Sequence, residues 1–325
     1  MPNRVRNLLL ALAILTSACA SDNAPRQETS ELAEFCRKLP RPAYAQFEKH
    51  LASNDWFEVY EVAADTYAIY EPFQWQEVIS YLIVGADRAL LFDTGNGIAD
   101  IRAVVDQLTA RPVTVLNSHS HIDHIGGNYQ FDDIRVMDTA FTRLRSRGVD
   151  DDSVRLEASP VALCKPLPNG LTAEDHVIRA FSPTGTIADG DQLDLGGRML
   201  EVIAIPGHTE DSMALLERAT GFLWTGDSYY AGPIWLFADE TDMQRYRASL
   251  ERLVALAPGL TALFPAHNTP REPPSQLTEV LQAFDQVMAG EMAAEPAWDD
   301  AVSFDFGSFG FLVRRDLLPK AEMQE

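Results

Sequence analysis

The chain has 325 residues, enough for one large domain or two. Its hydrophobic share of 46% and charged share of 23% are those of a globular protein, not of a disordered one. Its 48 acidic against 26 basic residues leave a formal charge of −22, which argues against nucleic acid as a partner, because phosphate binding needs clustered Lys and Arg.

In chain order, Arg4 and Arg6 come first, followed by a short apolar run from Leu8 to Leu15 and then Thr16-Ser17-Ala18-Cys19-Ala20. Residues 1–19 are predicted to be a secretory signal, too short for a stable membrane span. Leu15-Thr16-Ser17-Ala18-Cys19 resembles a bacterial lipobox, which would leave Cys19 lipidated and the protein attached to a membrane. Ala18-Cys19-Ala20 equally fits ordinary cleavage. Either route exports the chain, to the periplasm or as an outer-membrane lipoprotein. An oxidising compartment allows Cys36 and Cys164 to pair, with two separate buried thiols as the alternative. Residues 20–50 read as an N-terminal extension and 51–325 as the main domain.

Within that domain, strands are predicted at 57–62, 66–70, 78–84 and 89–93. A helix follows, with Ile101, Val104, Val105 and Leu108 on one face. Val113-Thr114-Val115-Leu116 is a buried strand. Residues 141–188 are polar and contain Pro, and read as an insertion over a site. Strands are expected at 200–205, 213–217 and 222–225, the last two joined as a hairpin through 218–221. Two helices close the series. The first starts near Asp242, with Tyr246, Leu250, Leu253 and Val254 in register. The second starts at Pro274, with Leu277, Val280, Leu281, Phe284 and Met288, where Pro suits the first turn.

The chemistry gathers just past the ends of these strands. His119-Ser120-His121-Ile122-Asp123-His124 packs three imidazoles and a carboxylate into six residues, followed by Gly126-Gly127, where the chain can turn sharply. Imidazole and carboxylate are ligands for zinc and related divalent metals. Pro206-Gly207-His208-Thr209, Gly226-Asp227 and Pro265-Ala266-His267 each follow another apolar run. Loops at strand ends are where a rigid sheet positions ligand-binding side chains. Five of the seven His lie in these motifs. His50 and His176 stand alone among polar neighbours and read as solvated surface residues.

The ordered set His-x-His-x-Asp-His, Pro-Gly-His-Thr, Gly-Asp and late Pro-x-His resembles the metallo-β-lactamase superfamily. Asp93-Thr94-Gly95 and Asp189-Gly190-Asp191 match further segments of that family, and the likeness spans roughly residues 57 to 270. It implies a mixed α/β (α+β) fold, a four-layer αββα sandwich with metals at one edge. It implies two divalent ions, zinc before iron or manganese. His119, His121 and His208 would hold the first, Asp123, His124 and His267 the second, and Asp227 would bridge both. A hydroxide held between the ions would attack the substrate. Thr209 or Asp211 would orient a ligand His from behind.

β-Lactamases usually place Cys or Ser where this chain has Asp227, so the bridging-Asp branches of thioesterases, lactonases, sulfatases and phosphodiesterases are the nearer resemblance. Asp227-Ser228-Tyr229-Tyr230 is similar to the Asp-x-x-Tyr of the lactonases, which makes Tyr230, beside Asp123, a candidate for direct contact with substrate; the alternative is that Tyr230 only packs. No Lys or Arg occurs from Glu272 to Val313, so the cations with which related hydrolases grip glutathione are not evident there. The run from Tyr229 to Phe237 is apolar. Together these features lead us to expect an exported metal-dependent hydrolase of a neutral ester or lactone. A β-lactamase, and a di-iron redox or non-catalytic metal-binding protein, are the competing readings.

Overall fold

The computed structural model describes residues 32–298 and 300–319. The predicted signal segment and Cys19 lie outside the described residues.

The first sheet has seven strands in sequence order: β1 (Glu58–Ala63), β2 (Thr66–Tyr70), β3 (Ile79–Val84), β4 (Ala89–Phe92), β5 (Val113–Leu116), β6 (Ile134–Val136) and β7 (Gly185–Thr186). Its first four strands are antiparallel hairpin neighbours, while β4 to β7 pair in parallel. The second half supplies β8 (Gln192–Asp194), β9 (Met199–Ala204), β10 (Met213–Glu217), β11 (Phe222–Gly226) and, after β12 (Pro233–Leu236), β13 (Ala262–Pro265). Its five-stranded sheet runs β13-β11-β10-β9-β8. The predicted strands form to within one residue at either end.

Alternation along these strands decides the layers. Tyr81, Leu90 and Phe92 of the first sheet point inward against Leu200, Val202, Leu215, Trp224 and Phe264 of the second. Their neighbours Leu82, Ala89 and Leu91 point outward and are covered by α1 (Ile101–Leu108) through Ile101, Val104 and Val105. On the far side, Ile203, Leu216, Leu223 and Leu263 meet the two long helices near the C-terminal end, given below. Strands buried on both faces read as nearly continuous apolar runs, which is how they stand in the sequence. The fold is therefore the expected αββα sandwich.

Four short helices shape the insertion and the site: α1, α2 (Ile122–Ile125), α3 (Ala140–Arg145) and α4 (Asp152–Glu157). The long ones are α5 (Met243–Leu256) and α6 (Ser275–Met288). Asp242 caps α5 by accepting from Gln244 N and Arg245 N, satisfying amides that the first turn leaves free.

Two regions differ from expectation. The apolar 229–237 run contains a strand: β12 lies within it and pairs in parallel with β16 (Gly310–Arg314), beside β15 (Ala301–Asp305) and β14 (Glu295–Trp298), making a third sheet of four strands. That pairing joins segments far apart in the chain, which local patterning does not register. The N-terminal extension is packed: Tyr44 is buried in the inter-sheet core, stacked 4.3 Å from Tyr70. Cys36 is disulfide-bonded to Cys164, which ties this segment to the insertion. His176, expected on the surface, is only 8% exposed, and burial pushes its pKa down to about 4. His50 is half-buried, its Nδ1 accepting from Ala52 N.

Candidate metal centre

Strand direction brings the seven predicted residues together. β9 and β11 run the same way, each being antiparallel to β10, and β13 is parallel to β11. Their C-terminal ends therefore lie on one edge, carrying His208, Asp227 and His267. The loop after β5 carries His119 and His121, and α2 carries Asp123 and His124. The two sheets are stitched there by Ile79 N to Ala266 O (2.7 Å) and Met213 N to Ser118 O (2.7 Å). Two glycines admit this approach. Gly207 has φ 144° and a Cβ there would lie 2.2 Å from Tyr246 Cα; Gly226 has φ 52° and a Cβ would lie 2.6 Å from Ser118 Cβ.

Ring nitrogens converge in two groups. His119 Nε2, His121 Nδ1 and His208 Nε2 lie 2.9 to 3.2 Å apart. In the second group, His124 Nε2 is 3.1 Å and His267 Nε2 3.6 Å from Asp123 Oδ2. Asp227 sits between. Its Oδ2 is 3.2 Å from His267 Nε2, 3.6 Å from His208 Nε2 and 3.9 Å from His119 Nε2, while its Oδ1 is 3.1 Å from His267 Nε2 and 3.5 Å from His124 Nε2.

The opposite ring nitrogens are held by acceptors. His208 Nδ1 donates to Trp235 O (2.8 Å), His267 Nδ1 to Gln76 O (2.7 Å), His121 Nε2 to Glu240 (2.8 Å) and His124 Nδ1 to Asp93 (3.0 Å). A carbonyl or carboxylate can only accept, so each of these bonds puts the proton on the outer nitrogen and a lone pair on the inner one. His119 Nδ1 lies 3.0 Å from Ser118 Oγ. His124 Nε2 and Asp227 Oδ1 are buried and make no hydrogen bond. Buried polar atoms without a partner are costly, and these two point into the space where the other ligand atoms meet. Unpartnered lone pairs at both groups, offered by imidazole and carboxylate, fit divalent metals.

Charges agree with that fit at the first group; at the second, the surrounding carboxylates outweigh burial and hold His124 well above, and His267 above, the usual histidine range, so these rings must give up a proton when a metal binds. Burial and the neighbouring His121 push His208 down to about 4, and burial with His124 holds His119 well below the usual histidine range. Both are then neutral at pH 7, as a metal ligand must be. Burial works against an ionised Asp123, but His124 outweighs it and brings it to about 2. Burial likewise opposes an ionised Asp227, yet His267, His124 and His119 hold it far below the ordinary carboxylate range. Glu240, raised by burial and lowered more strongly by its bond to His121, falls to about 2.

Several supporting residues escaped the sequence reading. Asp93 was visible only as part of a motif. Its backbone stands at φ 69°, and its Oδ1 accepts from Ser118 N (2.6 Å) while Oδ2 holds His124. Glu240 gave no signal, since one acid in an acidic chain is unremarkable. Thr209 and Asp211, expected behind a ligand ring, touch none. Asp211 instead accepts from Thr209 Oγ1 (2.7 Å), Ser120 Oγ (2.5 Å) and Thr142 Oγ1 (2.8 Å), tying three backbone segments together. The hydroxyl of Tyr230 donates to Pro233 O (2.6 Å) and accepts from Trp235 N (3.2 Å), so its single proton is already placed; its ring lies 4.8 Å from His267.

The Gln76 carbonyl belongs to a strapped loop. Glu157 of α4 accepts from Gln74 Nε2 and Trp75 Nε1, both at 2.7 Å, and Trp75 N donates to Ala162 O (3.0 Å). Cys164 N donates to Phe73 O (2.8 Å), and the disulfide to Cys36 extends the strap. Trp75 faces Trp235, with ring centres 5.3 Å apart.

Residues 75–288 match the family model described as metallo-beta-lactamase superfamily, a segment containing all seven converging residues. The chain is 30% identical over 188 residues to acyl-coenzyme A thioesterase MBLAC2 of Bos taurus, covering 54% of this chain and 67% of that protein. It is 27% identical over 181 residues to hydroxyacylglutathione hydrolase of Idiomarina loihiensis, covering 56% of each. Among solved structures, a metallo-beta-lactamase from Pontibacter korlensis shares the fold with a TM-score of 0.53 at 17% identity, over 70% of this chain and 99% of that one. The chain belongs to the metallo-beta-lactamase superfamily and is a hydrolase.

Proposed function

We propose that this hydrolase holds two divalent metal ions, zinc foremost, and cleaves an acyl carbonyl bond in an ester, lactone or thioester outside the cytoplasm. The observation that carries this reading is Asp227, which stands between the two groups: Oδ2 lies 3.2 Å from His267 Nε2 and 3.6 Å from His208 Nε2, while Oδ1 is buried and makes no hydrogen bond. His119, His121 and His208 would hold one ion, and Asp123, His124 and His267 the other. Bound there, the ions would supply Lewis acidity, polarising a carbonyl and bringing the pKa of water from 15.7 to about 7.

The residues themselves do the positioning. Glu240, Asp93 and the Trp235 and Gln76 carbonyls keep each inner lone pair aimed inward, so little reorganisation is needed at reaction. The nitrogen-rich first group favours zinc over harder cations. The thioester option is supported by the matched relatives, one named acyl-coenzyme A thioesterase and the other hydroxyacylglutathione hydrolase. Tyr230 enters the site through its ring against His267; a role as oxyanion donor would require it to leave Pro233 O. Export is supported by the Cys36–Cys164 bond, because disulfides persist in oxidising compartments. Lipidation at Cys19 would add a membrane anchor.

The test combines elemental analysis with a hydrolysis screen on metal-replete protein. We expect two ions per chain, and turnover of at least one ester, lactone or thioester above that of β-lactams and phosphodiesters. A single ion, or turnover confined to β-lactams or phosphodiesters, would overturn the reading.

A further inference from the structure

The net charge of −22 argues that an anionic substrate gains nothing from long-range steering. Close to the metal centre the local chemistry points the other way. The first turn of α3 places Phe141 edge-on to the ligand His121, with ring centres 5.7 Å apart. One turn on, the guanidinium of Arg145 lies over the Phe141 ring, 4.9 Å from its centre.

This helix is firmly held. Thr139 caps it, Phe141 N donates to Glu210 Oε1 (2.6 Å), and Thr142 Oγ1 donates to Asp211. Glu210 and Asp211 lie two and three residues after His208, so α3 is fixed to the same loop that carries a predicted ligand. Arg143, its neighbour, is ion-paired with Asp138. Arg145 makes no ion pair and no hydrogen bond among the described residues. Its Nε is buried, and no other Arg or Lys nitrogen there is both buried and without a partner. A buried guanidinium N–H without an acceptor is unfavourable unless something else supplies the acceptor. Glu240 feels the charge of Arg145 but is hydrogen-bonded to His121 (2.8 Å).

We propose that Arg145, stacked on Phe141 beside His121, anchors an anionic group of the acyl substrate, a carboxylate or phosphate several bonds from the scissile carbonyl. The Phe141 ring, in contact with both the guanidinium and His121, sets that spacing. Arginine is suited to the role because its planar fork meets either anion with two parallel N–H bonds. The inference rests on the acyl-hydrolase reading above and deepens it, replacing a neutral substrate by one with a charged arm.

The experiment uses three thioesters sharing one acyl group: an N-acetylcysteamine thioester, which is neutral, the glutathione thioester, which carries carboxylates, and the coenzyme A thioester, which carries phosphates. Wild type, Arg145→Ala and Arg145→Lys are compared, with metal content measured for each. In the wild type, kcat/KM is expected to favour an anionic thioester over the neutral one. Arg145→Ala should reduce that preference roughly 10- to 100-fold, the scale of a lost charged hydrogen bond. The loss should lie in KM, with Arg145→Lys recovering part of it. Which anion loses its advantage tells carboxylate from phosphate. A wild type that shows no preference for either anion overturns the inference alone. So does an Arg145→Ala loss equal on all three thioesters, which would make Arg145 a support for Glu240 and His121. A wild type that hydrolyses no acyl substrate overturns the acyl-hydrolase reading, and this inference falls with it.

Discussion

His119, His121 and His208 meet as three imidazoles, whereas Asp123, His124 and His267 meet around a carboxylate, and of the six only His121 is partly exposed. The carboxylate braces behind the two groups differ in depth. His121 and its partner Glu240 are each 20% exposed, while His124 and its partner Asp93 are at 0% and 1%. The first group leans on α3 and on β12, through Trp235 O; the second leans on a loop strapped by Glu157 and the disulfide. Water can replace a lost brace that is partly exposed, such as Glu240, but not one that is buried, such as Asp93. The lesson is that two adjacent sets of similar ligands can differ in how much each depends on its supporting residues.

Asp227→Ala is expected to erase the comparison, because this carboxylate faces both groups. Metal content should fall at both, and activity should drop by more than about 100-fold, the upper scale for residues that only support a ligand. Circular dichroism should show the fold retained. Two tightly held ions and a near-native rate in that variant would break the picture of a shared carboxylate.

Asp93→Ala and Glu240→Ala sharpen it. Removing a partner of a ligand histidine typically costs 10- to 100-fold in metal affinity. We place Asp93→Ala near the top of that range, since it leaves a buried His124 N–H unmatched, and Glu240→Ala near the bottom. Zinc titration against a competing chelator measures both. Equal losses would show that depth is not what separates the groups.

The smallest expected effect is that of Glu157→Gln, which touches the second group only through the Gln74-Trp75-Gln76 loop. Burial pushes the Glu157 carboxyl up to about 7, against hydrogen bonds from Trp75 and Gln74. A folded pKa above the ordinary glutamate value of 4.5 means the protonated form favours folding at low pH. That contribution, no more than about 3 kcal/mol, is lost as pH rises through 7. Wild-type Tm should therefore decline between pH 5 and 8, and Glu157→Gln, which still accepts from Trp75, should flatten the decline. Glu71, also raised to about 7 by burial, would retain part of it. A Tm profile identical in wild type and variant would contradict this account.

What the sequence determined by itself was whatever depends on local period and residue chemistry. Val113 to Leu116, Leu200 to Ile205 and Phe222 to Thr225 are apolar runs of strand length, and His or Asp stands just beyond each. Strand-end loops and divalent-metal chemistry followed from that alone, and the spaced motifs pointed to the superfamily. What only the tertiary structure decided depends on contacts between distant segments. β12 finds β16 across the two long helices. Glu240 reaches His121, and the carbonyls of Gln76 and Trp235 reach His267 and His208. A backbone carbonyl is carried by every residue, and a single acid among 48 acidic residues has no signature. Their selection as braces is settled only when folding brings a particular oxygen to within hydrogen-bonding distance of a particular ring.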